Sequence, residues 1–236
     1  MFFPIRDDQP TFSKAYVNYF IIVLNVLVFV LFELPLQFQG PRAFAALIFQ
    51  FGLVPQDVTR AVGGSTGYPL GANVLTILTS MFLHADFWHI LGNMWILWIF
   101  GDNVEDRLGH FGYLIFYLVC GTIAALTDIA LAPHSQIPLI GASGAIAGVM
   151  GAYFVLYPKA KVLTWVIFIF FWWLPAWIWL GVWFLGQFFD TVLVASGAVH
   201  QVGGVAFAAH VGGFVAGLIL VKLFPRRAGA HRYGSW

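Results

Sequence analysis

Charge is what this sequence most obviously lacks: only 9% of its 236 residues are charged, against roughly 25% in an ordinary soluble domain. Soluble proteins need charged side chains over much of their surface, so the composition excludes an ordinary soluble fold. Eleven basic and ten acidic residues leave a net charge of +1, which gives no indication of a nucleic-acid partner. The single cysteine, Cys120, excludes an intrachain disulfide.

Apolar residues are abundant instead: 61% of the chain is hydrophobic, and the mean hydropathy is +0.87. A helix needs about 20 mostly apolar residues to cross ~30 Å of hydrocarbon. The sequence therefore predicts an all-α fold, a polytopic membrane protein with a six-transmembrane-helix bundle. We expect the first span to be a retained anchor, because no small-residue cleavage site follows it. The predicted spans are Tyr16–Leu36, Leu83–Gly101, Phe111–Leu131, Gly141–Tyr157, Leu174–Phe189 and Gly204–Phe224.

Three stretches outside or across these spans have their own patterns. Residues 40–73 are more polar and rich in Gly and Pro, which predicts a long loop. Val162–Trp173 is apolar but too short to cross a bilayer, which indicates an interfacial or re-entrant piece. The Trp-rich stretch Trp165–Trp183 is typical of an aromatic belt at the membrane interface.

Basic residues are distributed asymmetrically among the loops, which predicts the orientation. With six spans and a cytoplasmic N-terminus, only Arg42 and Arg60 lie outside. We expect an integral, multi-pass protein of a bacterial inner membrane with both termini cytoplasmic. One domain is expected over residues 1–236, with its core at 83–224 and short cytoplasmic tails at 1–14 and 226–236. The basic residues predicted to lie inside are Arg6, Lys14, Arg107, Lys159, Lys161, Lys222, Arg226, Arg227 and Arg232.

Three polar clusters interrupt the apolar spans, and polar groups at membrane depth are functional candidates by default. They contain His89 and Asn93 in the second span, Ser143 in the fourth and His210 in the sixth. An α-helix rises about 1.5 Å per residue, which gives the distance of each residue from the cytoplasmic end of its own span. These distances are roughly 20 Å for His89, 24 Å for Ser143 and 21 Å for His210. The three clusters are therefore predicted to share one layer of the membrane, nearer its outer side.

These residue types together suit nucleophilic catalysis. A serine hydroxyl becomes a good nucleophile when a neighbouring imidazole takes its proton, which makes Ser143 and His210 a candidate pair. No acidic residue lies at the same depth in a neighbouring cluster, so a dyad is expected. His89 and Asn93, at i and i+4, share a helical face and could hydrogen-bond an oxyanion together with the N–H of Ser143. Glycines at small-xxx-small spacing are expected to let the fourth and sixth spans touch: Gly144, Gly148, Gly213 and Gly217.

The motifs, taken together, resemble those of the rhomboid intramembrane serine proteases. They are HxxxN at His89–Asn93, GxSG at Gly141–Gly144 and AHxxGxxxG at Ala209–Gly217. The run Gly101–Gly109 is similar to the cytoplasmic turn that follows the family's second span. The resemblance covers roughly Leu83–Phe224 and implies a rhomboid-like six-helix bundle.

The resemblance also implies a function, an intramembrane serine endopeptidase that needs no cofactor and cuts membrane-protein substrates near the outer face of the lipid bilayer. It implies roles as nucleophile, base and two oxyanion donors for four residues: Ser143, His210, His89 and Asn93. Some members have a Tyr four residues after the serine, where this chain has Ala147, and a Trp-Arg pair in the first loop, where residues 40–73 contain no Trp. These differences concern how His210 is held and how the first loop is arranged, not the reaction class.

Other interpretations of the same residues stay open. Ser143 could bond back to its own helix. His84, His89 and His210 could form a metal site, but no carboxylate or Cys accompanies them and no HExxH occurs. A rhomboid-like pseudoprotease would bind membrane clients without cleavage, and would be expected to lack the serine or the histidine. A transporter would be expected to show inverted repeats and broken helices at the midplane, and no such symmetry stands out.

Overall fold

A computed structural model describes residues 3–167, 170–197 and 206–224, and most of these residues are helical. A π-helical segment, Phe29–Glu33, joins the first two α-helices into one continuous rod. The predicted tail at 226–236 lies outside the described residues, as does Gly204 at the start of the predicted sixth span. The α-helices of the described part are α1 Tyr16–Val28, α2 Leu34–Gln39, α3 Pro41–Phe51, α4 Pro55–Val62, α5 Leu70–Thr79, α6 Phe87–Leu108, α7 His110–Leu131, α8 Ser143–Leu156, α9 Ala176–Ala195 and α10 Phe207–Leu220.

Membrane-spanning helices are present, as the composition predicts. Within the described ranges, three helical segments are long and apolar enough to cross a bilayer alone: Tyr16–Gln39, α7 and α9. Leu70–Phe82 and α6 meet at a bend of 79° and make a fourth if they count as one span. Helices α8 and α10 are apolar but shorter, at 14 residues each. The chain is therefore an integral membrane protein with three to four candidate spans, and the count of six stays a prediction.

The region 40–73 differs from its prediction as a long loop. It contains α3 and α4, and α5 begins at Leu70. The loop prediction was wrong because Pro41 and Pro55 stand in the first turns of helices, where a missing N–H breaks no helical hydrogen bond. A backbone bridge between Leu53 and Leu139 then ties this region to the loop that leads into α8.

A three-stranded antiparallel sheet, absent from the all-α prediction, lies beside the helices: β1 Phe3–Asp7, β2 Lys161–Ile167 and β3 Phe170–Pro175. The segment Val162–Trp173, predicted to be interfacial or re-entrant, forms most of the β2–β3 hairpin. The predicted fifth span accordingly begins at Ala176 instead of Leu174. Strand β1 pairs with β2 from the beginning of the chain, with Asp7 opposite Val162, and no local pattern could indicate such a distant partner.

Helix α8 is the buried centre of the bundle, with continuous burial from Gly144 to Tyr153. It packs most closely on α10. A Cβ atom added at Gly213 would collide with the carbonyl oxygen of Gly144, and one at Gly217 with that of Gly148. The predicted glycine contact is therefore confirmed, and it brings the first turns of the two helices side by side.

The end of α6 holds α1 in place through one buried carboxylate. Glu105 accepts hydrogen bonds from the backbone N–H groups of Val17 (3.0 Å) and Asn18 (2.7 Å). These groups belong to the first turn of α1, which has no side-chain cap of its own. Helix α9 packs much less against the rest of the protein, because only 11% of its apolar stretch is buried.

Candidate active site

The contact between α8 and α10 brings the predicted nucleophile and base together. Ser143 is the first residue of α8, and His210 lies in the first turn of α10. The Oγ atom of Ser143 is 2.7 Å from Nε2 of His210, although 67 positions separate the two residues in the sequence. This is an ordinary hydrogen-bond length, so the hydroxyl and the imidazole are in direct contact.

The other ring nitrogen of His210 faces a residue that sequence analysis did not identify. Nδ1 lies 2.5 Å from Oε1 of Gln187 on α9. In this orientation of the amide, its oxygen accepts the hydrogen bond from Nδ1–H, which leaves Nε2 as the acceptor for Ser143. The one signal in the sequence was an uncharged polar residue inside an otherwise apolar span.

Trp183, one turn before Gln187 on α9, provides the aromatic neighbour of His210. The two rings lie 5.8 Å apart, with 36° between their planes. Ala147, four residues after Ser143, is fully buried within α8 and has no aromatic ring to place against the histidine. The aromatic contact to the histidine therefore comes from α9, whereas α8 contacts it through Ser143.

His89 lies at the start of α6, where it is oriented by two local hydrogen bonds. Its backbone N–H donates to the Oδ1 atom of Asp86, the N-cap of the helix, at 2.9 Å. Its ring Nδ1 accepts from the backbone N–H of Ala85 at 3.3 Å. With Nδ1 occupied as an acceptor, Nε2 carries the proton and is a donor.

Both predicted oxyanion donors face the loop that leads into α8. A Cβ atom placed on Gly141 would lie 2.8 Å from Nε2 of His89 and 3.6 Å from Nδ2 of Asn93. Gly141 has a φ of +121°, which a residue with a side chain rarely adopts. The absence of a side chain there leaves the two donors open toward Ser143, two residues further along.

Asn93 is buried, and its side-chain nitrogen has no hydrogen-bond partner in the part of the chain that the structure describes. An unpaired buried donor costs about 1–3 kcal/mol, so such groups usually have a specific role. Helix α8 also lacks a side-chain N-cap, and its first backbone N–H groups are the kind that stabilise negative charge. The side-chain donors of α6 and the first backbone N–H groups of α8 thus lie close to the Ser143 hydroxyl.

A single cavity of about 560 Å³ connects these groups. Its lining comes mainly from α6 and α8, with Trp183 of α9 and Phe3 of β1 among the other lining residues. Its lining includes all four residues that sequence analysis selected: His89, Asn93, Ser143 and His210. A nucleophile, a base and hydrogen-bond donors that share one concave site form an arrangement suited to acyl transfer.

Comparison with known proteins agrees with this architecture. The family model of the rhomboid domain matches residues 71–227, which include α6, α8 and α10. The chain belongs to the rhomboid family. This rhomboid is 32% identical over 149 residues to Rhomboid protein 1, mitochondrial, of Saccharomyces cerevisiae, a match that covers 61% of the chain and 40% of the relative. Rhomboid-like protein 11, chloroplastic, of Arabidopsis thaliana is 29% identical over 163 residues, with 63% and 52% covered.

One bacterial relative is named as a protease. Rhomboid protease GluP of Bacillus subtilis is 27% identical over 147 residues, which are 62% of this chain and 25% of that protein. The chain thus spans about half or less of the length of these three relatives. They come from mitochondria, a chloroplast and a bacterium, so a bacterial inner membrane and cytoplasmic termini stay predictions for this rhomboid.

Behind the donors of this rhomboid lies a second buried polar pair. The backbone N–H of His84 donates to Oε1 of Glu33 at 2.8 Å, and the His84 ring lies 5.1 Å from that of His89. His210 is bonded to Ser143 and Gln187 instead. The described residues contain no group of three or more His, Cys, Asp and Glu side chains arranged to hold a metal ion. The hydrogen bond between Glu33 and the backbone of His84 therefore has a structural role in the turn before α6.

Proposed function

We propose that this rhomboid is an intramembrane serine endopeptidase that uses a Ser143–His210 dyad. Its substrates are transmembrane or membrane-associated proteins, cut near the outer face of the bilayer. The observation that carries the proposal is the 2.7 Å contact between the Ser143 hydroxyl and the His210 imidazole. The contact lies in a cavity that also contains the side chains of His89 and Asn93.

The reaction follows from the orientation of His210. Nε2 takes the hydroxyl proton of Ser143 while Oγ attacks the carbonyl carbon of the scissile peptide, and a C–O bond forms. The imidazolium then gives this proton to the leaving nitrogen, the C–N bond breaks, and an acyl-enzyme remains. Water, activated by the same histidine, hydrolyses the ester and restores the serine.

The oxyanion of each tetrahedral intermediate needs donors that are already in place. Nε2–H of His89, the amide nitrogen of Asn93 and the backbone N–H of Ser143 serve as these donors in the proposed mechanism. Hydrogen bonds are stronger where water is scarce, so a site within the membrane increases the contribution of each donor.

The proposed topology completes this function. Helices α8 and α10 count as short spans, which gives six spans, both termini in the cytoplasm of a bacterial cell and the dyad nearer the outer face. Trp183 of α9 lines the cavity, and the sparse burial of that helix supports an approach of membrane-protein substrates from the bilayer.

Fluorophosphonate labelling and cleavage of a single-span substrate test the proposal on purified protein. We expect Ser143→Ala and His210→Ala to lose both reactions while they keep the thermal stability of the wild type. The double variant should be no worse than either single one, because the pair acts as a unit. Ser196→Ala, a serine at the exposed end of α9, is the matched control and should behave like the wild type.

Two outcomes would contradict the protease. Undiminished cleavage by Ser143→Ala would show that another group performs the reaction. Wild-type protein that binds a membrane client, but neither reacts with the fluorophosphonate nor cleaves the client, would instead identify a rhomboid-like pseudoprotease.

A further inference from the structure

The orientation of His210 requires an explanation that the dyad does not provide. Imidazole can carry its single proton on either nitrogen, and only the form with the proton on Nδ1 can accept the proton of Ser143 through Nε2. In trypsin-like proteases a buried carboxylate selects this tautomer. Among the residues that the structure describes, no Asp or Glu side chain bonds to His210, but Oε1 of Gln187 lies 2.5 Å from Nδ1.

We propose that Gln187 is the positioning residue for the base of the Ser143–His210 dyad. This inference rests on the proposed protease function. The amide oxygen of Gln187 accepts the Nδ1 proton, fixes the tautomer and limits rotation of the ring. It also stabilises the imidazolium that forms when Ser143 is deprotonated.

An amide is a suitable partner at this depth. Burial of a carboxylate in an apolar environment carries a desolvation penalty of several kcal/mol, and charged groups within a membrane are costly for the same reason. An amide oxygen avoids that penalty and still presents a strong acceptor. A neutral third residue therefore gives the orientation of a triad without a buried negative charge.

Helix α9 holds the imidazole by two different contacts. Gln187 bonds to its edge, and the ring of Trp183, one turn earlier, lies beside it at a centroid distance of 5.8 Å and a tilt of 36°. The two contacts together limit the rotation and the tilt of the ring. The nucleophile lies on α8 and the base on α10. Because contacts from α9 orient the base, the geometry of the pair depends on that third helix as well.

Two substitutions separate positioning from packing. Gln187→Met keeps the approximate length of the side chain but removes the amide, whereas Gln187→Glu keeps an acceptor of the same shape and cannot donate from an amide. Leu185→Met puts the same new side chain on the exposed surface of α9 and is the matched control. For each variant we would measure the fluorophosphonate labelling rate, kcat and KM for a single-span substrate, and the unfolding temperature.

We expect Gln187→Met to lower the labelling rate and kcat by about 10- to 100-fold, less than the ~10⁴-fold loss seen when a charged triad partner is replaced. KM and the unfolding temperature should stay close to wild type. Gln187→Glu should recover only part of the loss and should lower the unfolding temperature, because a buried carboxylate carries a desolvation penalty. Leu185→Met should match the wild type. Wild-type rates for Gln187→Met would overturn the positioning role of Gln187.

A readout that needs no activity separates this inference from the proposed function. In protein with ¹⁵N-labelled histidine and Ser143→Ala, NMR should detect His210 with its proton on Nδ1, and Gln187→Met should shift the population toward Nε2–H. An unchanged tautomer in Gln187→Met would overturn the positioning role, whether or not the wild type cleaves. The expected tautomer shift in a protein that never reacts with fluorophosphonate would support the role of Gln187 and reject the protease.

Discussion

The side-chain nitrogen of Asn93 is buried, faces Gly141 and has no hydrogen-bond partner among the described residues. Because loss of one oxyanion donor typically costs about 100- to 1000-fold in kcat, we expect Asn93→Ala to reduce turnover toward that range. The loss should be smaller if His89 and the backbone N–H of Ser143 compensate. The unfolding temperature should not fall through loss of a hydrogen bond, because the Asn93 side-chain nitrogen makes none within the described residues. Cleavage kinetics and thermal unfolding measure the two effects, and Asn73→Ala, on α5, is the asparagine control.

His89→Ala should reduce turnover at least as much as Asn93→Ala, because the ring also accepts the Ala85 N–H at 3.3 Å and thereby orders the turn before α6. Neither change should block fluorophosphonate labelling as completely as His210→Ala, since Ser143 would keep its base. Wild-type cleavage rates for both Asn93→Ala and His89→Ala would mean that these two side chains are structural. Backbone donors alone would then bind the oxyanion.

At the residue scale, the sequence predicted which polar groups share the cavity but not everything that orients them. Ser143, His210, His89 and Asn93 could be found because the position of each along its helix fixes its depth, and all four line one cavity. Gln187 could not be found in this way. Its contact with His210 depends on how α9 is rotated against α10, which the apolar pattern of α9 does not specify.

At the element scale, the α8–α10 contact is the most demanding feature of the fold. We expect Gly213→Val and Gly217→Val to force the two backbones apart, because a Cβ atom at either position meets a carbonyl oxygen of α8. The cost should reach about 3 kcal/mol, the upper range for overpacking, and activity should fall with it. Thermal unfolding measures the loss of stability. Gly71→Val, in α5 with open space around it, should be tolerated, and equal unfolding temperatures for all three would contradict the packing.

Strand β1 is connected to α8 through Asp7, whose carboxylate accepts a hydrogen bond from the Tyr153 hydroxyl. Burial raises the pKa of Asp7 from its usual 3.8 to about 7. The folded protein therefore holds this proton more tightly than the unfolded chain. The resulting contribution to stability is complete below pH 3.8 and is lost as the pH rises through about 7.

Removal of that carboxyl should remove the pH dependence it causes. We expect the unfolding temperature of the wild type, relative to that of Asp7→Asn, to fall as the pH is raised from acid to slightly above neutral. Thermal unfolding over a pH series measures this difference, and Asp57→Asn, in α4, controls for loss of a carboxylate elsewhere. Parallel curves for wild type and Asp7→Asn would contradict the assignment.

The starts of two long apolar helices were predicted to within one residue, whereas α6 covers Phe87–Leu108 instead of Leu83–Gly101, and elements defined by tertiary contacts were not predicted. The first span begins at Tyr16 as predicted, and α7 begins one residue before the predicted Phe111. Helices α3 and α4 were missed because they are short and begin with proline. Strand β1 was missed because its backbone groups pair with β2, far along the sequence, and the pairing leaves no periodic signal in either segment.

For the whole molecule, the charge distribution predicts that both termini lie on the same side of the membrane. A reporter fused after Trp236 and one inserted in the loop 133–138 should lie on opposite sides, since three proposed spans separate them. A third reporter at Lys159 should lie on the same side as the C-terminus. Enzymatic reporters active on only one side measure this, and same-side signals for the first two would mean that α8 or α10 does not cross.

The sparse burial of α9 links this site to the thickness of the bilayer. A helix with little protein around it tilts to match its apolar length to the surrounding hydrocarbon, at a small cost per ångström. Because α9 carries Gln187 and Trp183, a change of tilt would displace both from His210. In vesicles of phosphatidylcholines with increasing acyl-chain length, kcat should pass through a maximum, and Gln187→Met should flatten that curve. The bilayer would then act as an adjustable part of the catalytic apparatus, and moving the protein between membranes would change its rate without any ligand.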